Sequence, residues 1–474
     1  MIYIHWIALT AYVALTAAVI MRILMDKRQP AKTLAWILVL VFVPLAGTAL
    51  YLFFGRNTRK MRYISRHSLD QITRRSLLGS ARQHELHVPE PLRRLVQMLA
   101  TQSEAMPFKD NEVQVFTDGH SLFAALLKAI ARARVHIHIT TYIFDDDPLG
   151  RLVADALIAK AREGVEVRVI YDDVGCWRTP RKFFERMREE GVDIRAFMPA
   201  KLPMFTSKVN YRNHRKLCVI DGTTGFIGGM NIALRYVKGE NGQPWRDTHM
   251  QVRGAAVYGL QAAFLVDWFF VDRTLVSGRK YYPPIDPLVS NNCIAQVVTG
   301  SPAAPWPDIM NAYVRILLEA KRYVYIETPY FLPTEPVILA IRTAALAGVD
   351  VRVMVPRQCD SHVMDTASMS YLADIVDAGA KALLYEGGFN HSKLLVADDI
   401  VSTCGSANVD ARSFENNFEA NIFFYDREVA VRIKEIFLAD AAKSTDFLYV
   451  RKDEAHALGH RLAESLIRLF SPLL

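Results

Sequence analysis

The fold of this chain of 474 residues is decided by two stretches, Val135-His136-Ile137-His138-Ile139-Thr140-Thr141-Tyr142 and Tyr323-Val324-Tyr325-Ile326-Glu327-Thr328-Pro329-Tyr330. Both are rich in β-branched and aromatic residues, which favours a buried strand. Each belongs to a run with the order helix, strand, helix, glycine, strand, at 122–133, 135–142, 152–162, Gly164 and 165–171, and again at 313–320, 323–330, 337–347, Gly348 and 349–355. This order predicts βαβ units, duplicated at an offset of 188 positions (142 to 330).

The predicted fold class is therefore α/β, with two duplicated domains whose mixed or parallel sheets are flanked by helices and preceded by an N-terminal pair of membrane helices. The predicted boundaries are 1–55 for the membrane helices, 56–105 for a basic juxtamembrane connector, 106–290 and 291–450 for the duplicated domains, and 451–474 for an amphipathic C-terminal helix.

The N-terminal segments are long and apolar. Residues 1–21 carry no charged side chain, and neither does the run from Thr33 to Gly55, so each is long enough to cross a bilayer as a helix. The first lacks the basic start and cleavage site of a secretory signal, which favours a retained anchor. Pro44 and Gly47 leave open a second segment that bends back without crossing.

Charge indicates an anionic partner. The formal net charge is +8, and residues 56–75 hold seven basic side chains and one acidic side chain, which favours a cytoplasmic catalytic part. The loop at 22–32 is also basic, so the positive-inside rule does not satisfy both segments. The five cysteines are scattered and lack C-x-x-C spacing, which argues against a disulfide framework or a zinc site.

Each repeat ends in the same pattern of polar residues. The motifs are His214-x-Lys216-x4-Asp221-x6-Gly228-Gly229-x-Asn231 and His391-x-Lys393-x4-Asp398-x6-Gly405-Ser406-x-Asn408. Recurrence at corresponding places in two duplicated domains indicates function rather than surface decoration.

The spacing has a physical reason. Histidine and lysine two positions apart at the start of a strand point to one face, where a phosphate would meet an imidazole and an ammonium. Asp221, followed by Gly222, is typical of a hairpin turn, so Asp221 and Asp398 are assigned a structural role within the catalytic motifs. Asn231 and Asn408 are predicted to donate amide hydrogens to phosphoryl oxygens.

Two carboxylates complete the predicted site. Asp247 lies 33 residues after His214 (214 to 247), and Glu419 lies 28 residues after His391 (391 to 419). A nucleophilic or acid–base histidine needs its second nitrogen held by an acceptor, and these two carboxylates are the candidate acceptors. The alternative is that both are ordinary surface carboxylates.

The paired motifs resemble the phospholipase D superfamily over residues 105–450. The N-terminal helix pair, Trp245-Arg246-Asp247, Asp410-x-Arg412-Ser413 and the terminal Phe470-Ser471-Pro472-Leu473-Leu474 are similar to bacterial cardiolipin synthases in particular. That resemblance implies a phosphatidyltransferase of the inner membrane, multi-pass and facing the cytoplasm. It would join two phosphatidylglycerol molecules into cardiolipin and release glycerol.

The resemblance also implies a mechanism. His214 is assigned as the nucleophile that forms a phosphatidyl-histidine and His391 as the acid and base, although the two motifs are symmetric in sequence. Lysine and asparagine donors, two of them cationic, would stabilise the equatorial oxygens, so no metal and no cofactor is expected. The expected partners are phosphatidylglycerol, other anionic phospholipids and the membrane. Nucleic acid is not expected, and an oligomer is compatible with the sequence.

Several alternatives remain at this point. The same site with water as acceptor would be a phospholipase or a nuclease, and a scaffold without activity is a further class. The apolar loop at 197–205 is either a lipid-facing segment or a packed connector. The amphipathic tail is either packed on the domain or bound at the membrane surface.

Overall fold

The computed structural model describes residues 2–25, 30–43, 45–55, 86–199, 211–284, 289, 291–454 and 466–468. These residues form two compact units, one containing the N-terminal helices and the other containing both repeats.

The N-terminal unit contains three helices, α1 (Ile2–Met25), α2 (Pro30–Phe42) and α3 (Ala46–Phe54). Within α1, His5–Met25 has a mean hydropathy of 2.1 and is long and apolar enough to cross a membrane. The second apolar segment is interrupted between α2 and α3, where Leu45 adopts a φ of 61°. It therefore consists of two short helices joined by a bend at Leu45, and a second segment that bends back without crossing stays a prediction.

The unit with both repeats begins with α4 and the elements of the first repeat. Their bounds are α4 (Arg93–Gln102), β1 (Pro107–Phe108), β2 (Asn111–Phe116), α5 (Gly119–Arg132), β3 (His136–Thr141), α6 (Pro148–Arg162), β4 (Glu166–Asp172), α7 (Arg181–Glu189), β5 (Asp193–Phe197), β6 (Leu217–Ile220), β7 (Thr224–Gly228), α8 (Arg235–Lys238), β8 (Trp245–Arg246), β9 (His249–Gly254) and α9 (Val257–Asp272).

The second repeat follows the same plan. Its elements are β10 (Ala295–Gly300), α10 (Asp308–Glu319), β11 (Tyr323–Glu327), β12 (Phe331–Leu332), α11 (Glu335–Leu346), β13 (Asp350–Pro356), α12 (His362–Val376), β14 (Lys381–Tyr385), β15 (Phe389–Asn390), β16 (Leu394–Ala397), β17 (Val401–Gly405), β18 (Val409–Asp410), α13 (Ala411–Glu415), β19 (Glu419–Phe424), α14 (Arg427–Ala441), β20 (Ser444–Asp446) and α15 (Phe447–Glu454).

Each repeat builds one mixed sheet. The seven-stranded sheet has the order β2-β9-β7-β6-β3-β4-β5, and the nine-stranded sheet has the order β1-β10-β19-β17-β16-β11-β13-β14-β20. The βαβ units predicted from the repeats are present, because β3 pairs in parallel with β4 and β11 with β13. The motif strands β6 and β16 then pair antiparallel to β3 and β11. The α/β fold with duplicated domains is confirmed.

Helix α4 differs from the expectation for the connector at 56–105. Leu95 and Leu99 are fully buried in the core of the second repeat, so this part of the segment packs into the fold instead of running along a surface. The apolar face at helical spacing explains the packing. Residues 56–85, residues 200–210, which include most of the predicted apolar loop at 197–205, and most of the predicted tail helix lie outside the described residues.

Each motif aspartate stabilises its own repeat through hydrogen bonds to the backbone. Asp221 occupies a left-handed turn between β6 and β7 with a φ of 52°, and its carboxylate accepts hydrogen bonds from the backbone N–H groups of residues 134–136. Asp398 does the same for residues 321–323, at 2.7, 2.8 and 2.9 Å. Each aspartate therefore fixes the start of β3 or β11 and has the structural role assigned to it.

We expect Asp398→Ala to lower the free energy of unfolding by about 2 kcal/mol, because three backbone donors lose their acceptor. Denaturant titration of the purified protein measures this, with exposed Asp377→Ala as the control expected to change stability by less than about 0.5 kcal/mol. The folded variant should keep turnover within about tenfold. A variant that is fully stable but inactive would assign Asp398 a catalytic role instead.

Candidate active site

The two motif histidines lie at the junction between the repeats. His214 and His391 lie three residues before the first residues of β6 and β16 (Leu217 and Leu394), and both are only partly exposed, at 20% and 14% of their side-chain surface. The backbone N–H of His214 donates to the Phe418 carbonyl at 2.9 Å, and that of His391 donates to the Arg246 carbonyl at 2.6 Å. Each histidine segment is therefore paired, strand to strand, with a segment of the other repeat.

The pairing between the repeats also places each carboxylate next to a histidine. Asp247 Oδ2 lies 2.7 Å from His391 Nδ1, and Glu419 Oε1 lies 3.3 Å from His214 Nδ1. The sequence identified both carboxylates, and their linear spacing suggested a partner within the same repeat. In the structure each one faces the histidine of the opposite repeat, so neither repeat contains a complete site.

This arrangement determines the chemistry of the imidazoles. A carboxylate at Nδ1 accepts a hydrogen bond from the N–H of that nitrogen, which keeps the proton on Nδ1 and leaves Nε2 with its lone pair. Burial lowers the pKa of both histidines, and for His391 burial together with Lys393 and Lys216 lowers the pKa to about 4. Both imidazoles are thus neutral at pH 7 in the absence of substrate, as a nitrogen nucleophile must be.

The two motif lysines are almost fully buried beside the histidines. Lys216 Nζ donates to the His214 carbonyl at 2.6 Å, and Lys393 Nζ lies 2.9 Å from His391 Nδ1. Burial, aided by Lys216, lowers the pKa of Lys393 to about 8. Burial alone would raise the pKa of Asp247, but Lys393 and His391 outweigh it and lower that pKa. Charged groups of one repeat thus shift the pKa values of groups in the other repeat, so the two motifs form one electrostatic site.

The motif asparagines make hydrogen bonds to residues that the sequence did not identify as their partners. The Asn231 amide donates to the Tyr236 hydroxyl at 2.6 Å and its oxygen accepts from the Ile143 N–H at 3.1 Å. Asn408 donates to Asp410 Oδ2 at 3.1 Å. Both side chains thus support neighbouring loops, and a contact with phosphoryl oxygens stays a prediction for their second amide hydrogens.

Several residues at the site were not identified as functional from the sequence. The Tyr142 ring packs 4.1 Å from the His214 ring, and Asn417 Nδ2 lies 3.2 Å from both His214 Nδ1 and Glu419 Oε1. Tyr142 ends its repeat strand as Tyr330 ends the second, and this recurrence was the available signal. In the described part of the chain, no three His, Cys, Asp or Glu side chains are grouped so that they could hold a metal ion.

The two repeats differ where they contact the carboxylates. Ser406 donates a hydrogen bond to Glu419, whereas Gly229, at the equivalent position, contacts Asp247 so closely that a Cβ would lie 2.1 Å from Oδ1. A side chain at that distance forces the carboxylate to move. Glycine is therefore required on the Asp247 side, and serine is tolerated on the Glu419 side.

Two histidines, two lysines and two exchanged carboxylates in one site define the phospholipase D class of phosphodiester chemistry. The model of the "Cardiolipin synthase, PLD-like domain" family matches residues 126–242 and 313–441, and that of the "Phospholipase D-nuclease N-terminal" family matches residues 14–56. The chain belongs to the cardiolipin synthase family, whose members are phosphatidyltransferases of the phospholipase D superfamily.

Individual relatives agree with this membership. The chain is 39% identical to the major cardiolipin synthase ClsA of Bacillus subtilis over 467 residues, and 38% identical to the cardiolipin synthase of Oceanobacillus iheyensis over 463 residues, with 95% of each chain covered in both cases. Its fold resembles the crystal structure of a phosphatidylserine synthase from Haemophilus influenzae, with a TM-score of 0.62 and 14% identity over 81% of this chain and 99% of that one.

We expect Gly229→Ser to lower kcat for phosphatidyl transfer about 100-fold, since displacement of Asp247 misplaces the His391 ring. The matched variant Ser406→Gly removes one hydrogen bond without crowding and should cost less than about tenfold. Steady-state kinetics of both variants measure the difference. Equal losses would show that the two carboxylates are held in equivalent ways.

The lysine pKa predicts an alkaline limb. Lys393 is cationic below its pKa of about 8 and neutral above it, so kcat/KM should fall as the pH rises through about 8. In Lys393→Arg the cation persists, and the limb should move to higher pH even if the plateau is lower. A limb that stays near the same pH in this variant would assign it to another group.

Proposed function

We propose that this protein transfers a phosphatidyl group from one phosphatidylglycerol to the headgroup hydroxyl of a second, giving cardiolipin and glycerol. The exchange of carboxylates between two histidine motifs is the observation that carries the proposal, because it puts two oriented imidazoles into one site. Membership of the cardiolipin synthase family supplies the substrate class.

In the first half-reaction, Nε2 of one histidine attacks phosphorus and a P–N bond forms. The bond from phosphorus to the glycerol oxygen breaks, and the second imidazole, protonated in the substrate complex, gives its proton to that oxygen. The phosphodiester anion favours this protonation, since it brings negative charge beside an imidazole whose pKa is lowered by burial and by two lysines. We assign His214 as nucleophile and His391 as acid.

In the second half-reaction the acid becomes the base. His391 accepts the proton of a headgroup hydroxyl from the second phosphatidylglycerol, and that oxygen attacks phosphorus while the P–N bond breaks. Cardiolipin leaves and both imidazoles return to their starting state. Lys216 and Lys393 stabilise the negative charge on the equatorial oxygens in both steps, with no reorganisation because both are packed in place.

The substrates reside in a bilayer, and α1 is suited to hold the chain there. We propose a location in the bacterial inner membrane, with the two repeats on the cytoplasmic side where the basic residues of 56–75 meet anionic lipid.

Purified protein incubated with phosphatidylglycerol labelled in its glycerol headgroup should yield cardiolipin and release glycerol in equal amounts. His214→Ala and His391→Ala should each lower turnover at least about 1,000-fold, because neither repeat holds both nucleophile and acid. The exposed His120→Ala is the matched control and should retain full turnover.

Mass spectrometry of His391→Ala, trapped with substrate, should find the phosphatidyl adduct on the peptide that contains His214. An adduct on His391 in the His214→Ala protein alone would reverse the two roles. Phosphatidic acid as the main wild-type product would show that water is the acceptor and would replace the synthase by a phospholipase D-type hydrolase.

A further inference from the structure

Two tryptophans of the unit with both repeats face solvent. Trp177 and Trp306 expose 76% and 57% of their surface, whereas Trp268 is buried and Trp245 packs against neighbouring rings. An indole buried in a core contributes a large apolar area, and an indole left in water gives that contribution up. Tryptophan is the side chain that prefers the interface between water and a bilayer.

The loop that carries Trp177 is fixed next to the site. It follows β4, and the Asp172 carboxylate accepts from the N–H groups of Val174 and Gly175 at 3.0 and 2.9 Å, and from the N–H of Asn213, the residue before His214, at 2.9 Å. Gly175 lies against Tyr142, whose ring covers His214: a Cβ on this glycine would lie 2.2 Å from the Tyr142 carbonyl. Trp177 is thus presented on a firmly held turn beside the nucleophile.

The loop that carries Trp306 leaves the second sheet next to the site. It follows β10, whose last residue, Gly300, is paired with Glu419. The Gly300 carbonyl accepts a hydrogen bond at 3.0 Å from Arg215, the residue between His214 and Lys216. A proline on each side of Trp306 restricts the backbone of this loop. Each repeat therefore contributes one exposed tryptophan on a loop that begins next to the site.

The rim of the site, defined by the loops that carry Trp177 and Trp306, has basic side chains beside Trp177 and so differs from a neutral apolar surface. Arg178 lies 5.6 Å from the Trp177 ring, and Arg181 and Lys182 follow on the exposed first turn of α7. Aromatic and basic side chains together favour the headgroup region of an anionic bilayer, where the indole enters the interface and the cations meet phosphates.

We propose that Trp177 and Trp306 seat the mouth of the active site on the surface of an anionic phospholipid bilayer, so that a lipid headgroup reaches the histidines while its acyl chains stay in the membrane. The proposal rests on the proposed function, in which both substrates are lipids. It adds a docking surface to the repeats themselves, independent of the N-terminal helices.

The test uses the full chain reconstituted into vesicles of phosphatidylglycerol and phosphatidylcholine. Lipids brominated on the acyl chain near the headgroup should quench the fluorescence of the wild type more than that of Trp177→Phe or Trp306→Phe, and the difference should shrink in vesicles without anionic lipid. In the Trp177→Ala/Trp306→Ala double variant, kcat/KM toward vesicle phosphatidylglycerol should fall about tenfold. Toward a short-chain, monomeric phosphatidylglycerol it should change less than about twofold.

Leu346→Ala is the matched control, because Leu346 is 75% exposed at the end of α11, on the opposite edge of the sheet. It should leave both rates and the quenching unchanged. Equal losses on both substrates, or quenching that is the same with and without the indoles, would overturn the proposal. A change of oligomeric mass in the double variant would make the rim an interface between copies and would also overturn it. Quenching as expected without any cardiolipin would refute the proposed function and leave the docking surface standing.

Discussion

The structure depends on the exchange of two buried carboxylates between the repeats. Asp247 and Glu419 are fully buried, and each finds its histidine only across the junction. Removing one partner of a buried charged pair costs several kcal/mol, and either repeat alone would leave its buried carboxylate without the histidine that it contacts. Docking of the two repeats therefore gives each buried carboxylate its histidine partner, and the same contacts complete the active site.

Two arginines hold that junction in register. Arg215, between His214 and Lys216, donates to the carbonyls of Glu419 and Gly300, at 3.0 Å each. Arg246, next to Asp247, binds Asp440 and the hydroxyl of Ser392, the residue between His391 and Lys393. Each clamp contacts the chain within one residue of a catalytic group, which keeps the imidazoles in place before substrate arrives. Such preorganisation is what electrostatic catalysis requires.

Local patterns were sufficient for much of the fold. The period of the strands and helices predicted both βαβ units, and the aspartate–glycine pair after β6 predicted the hairpin that the structure contains. The linear spacing of Asp247 and Glu419 from the motifs did not reveal their partners. Each carboxylate follows the histidine of its own repeat in sequence but contacts the histidine of the other repeat in space. The basic residues around helix α4 predicted a connector along the membrane surface, whereas its buried leucines determine that it packs on the second repeat.

The sequence by itself determined the residue types of the site, the duplication and the turn aspartates, because these follow from identities and from short-range backbone geometry. Only the tertiary structure decided which carboxylate serves which histidine, why glycine stands at position 229 and serine at 406, and that Asn231 supports a loop. The first of these outcomes depends on how the two sheets pack across the junction, and the others depend on how closely neighbouring segments of one repeat approach each other. A one-dimensional pattern carries no information on such packing, because it does not say which side chains meet in space.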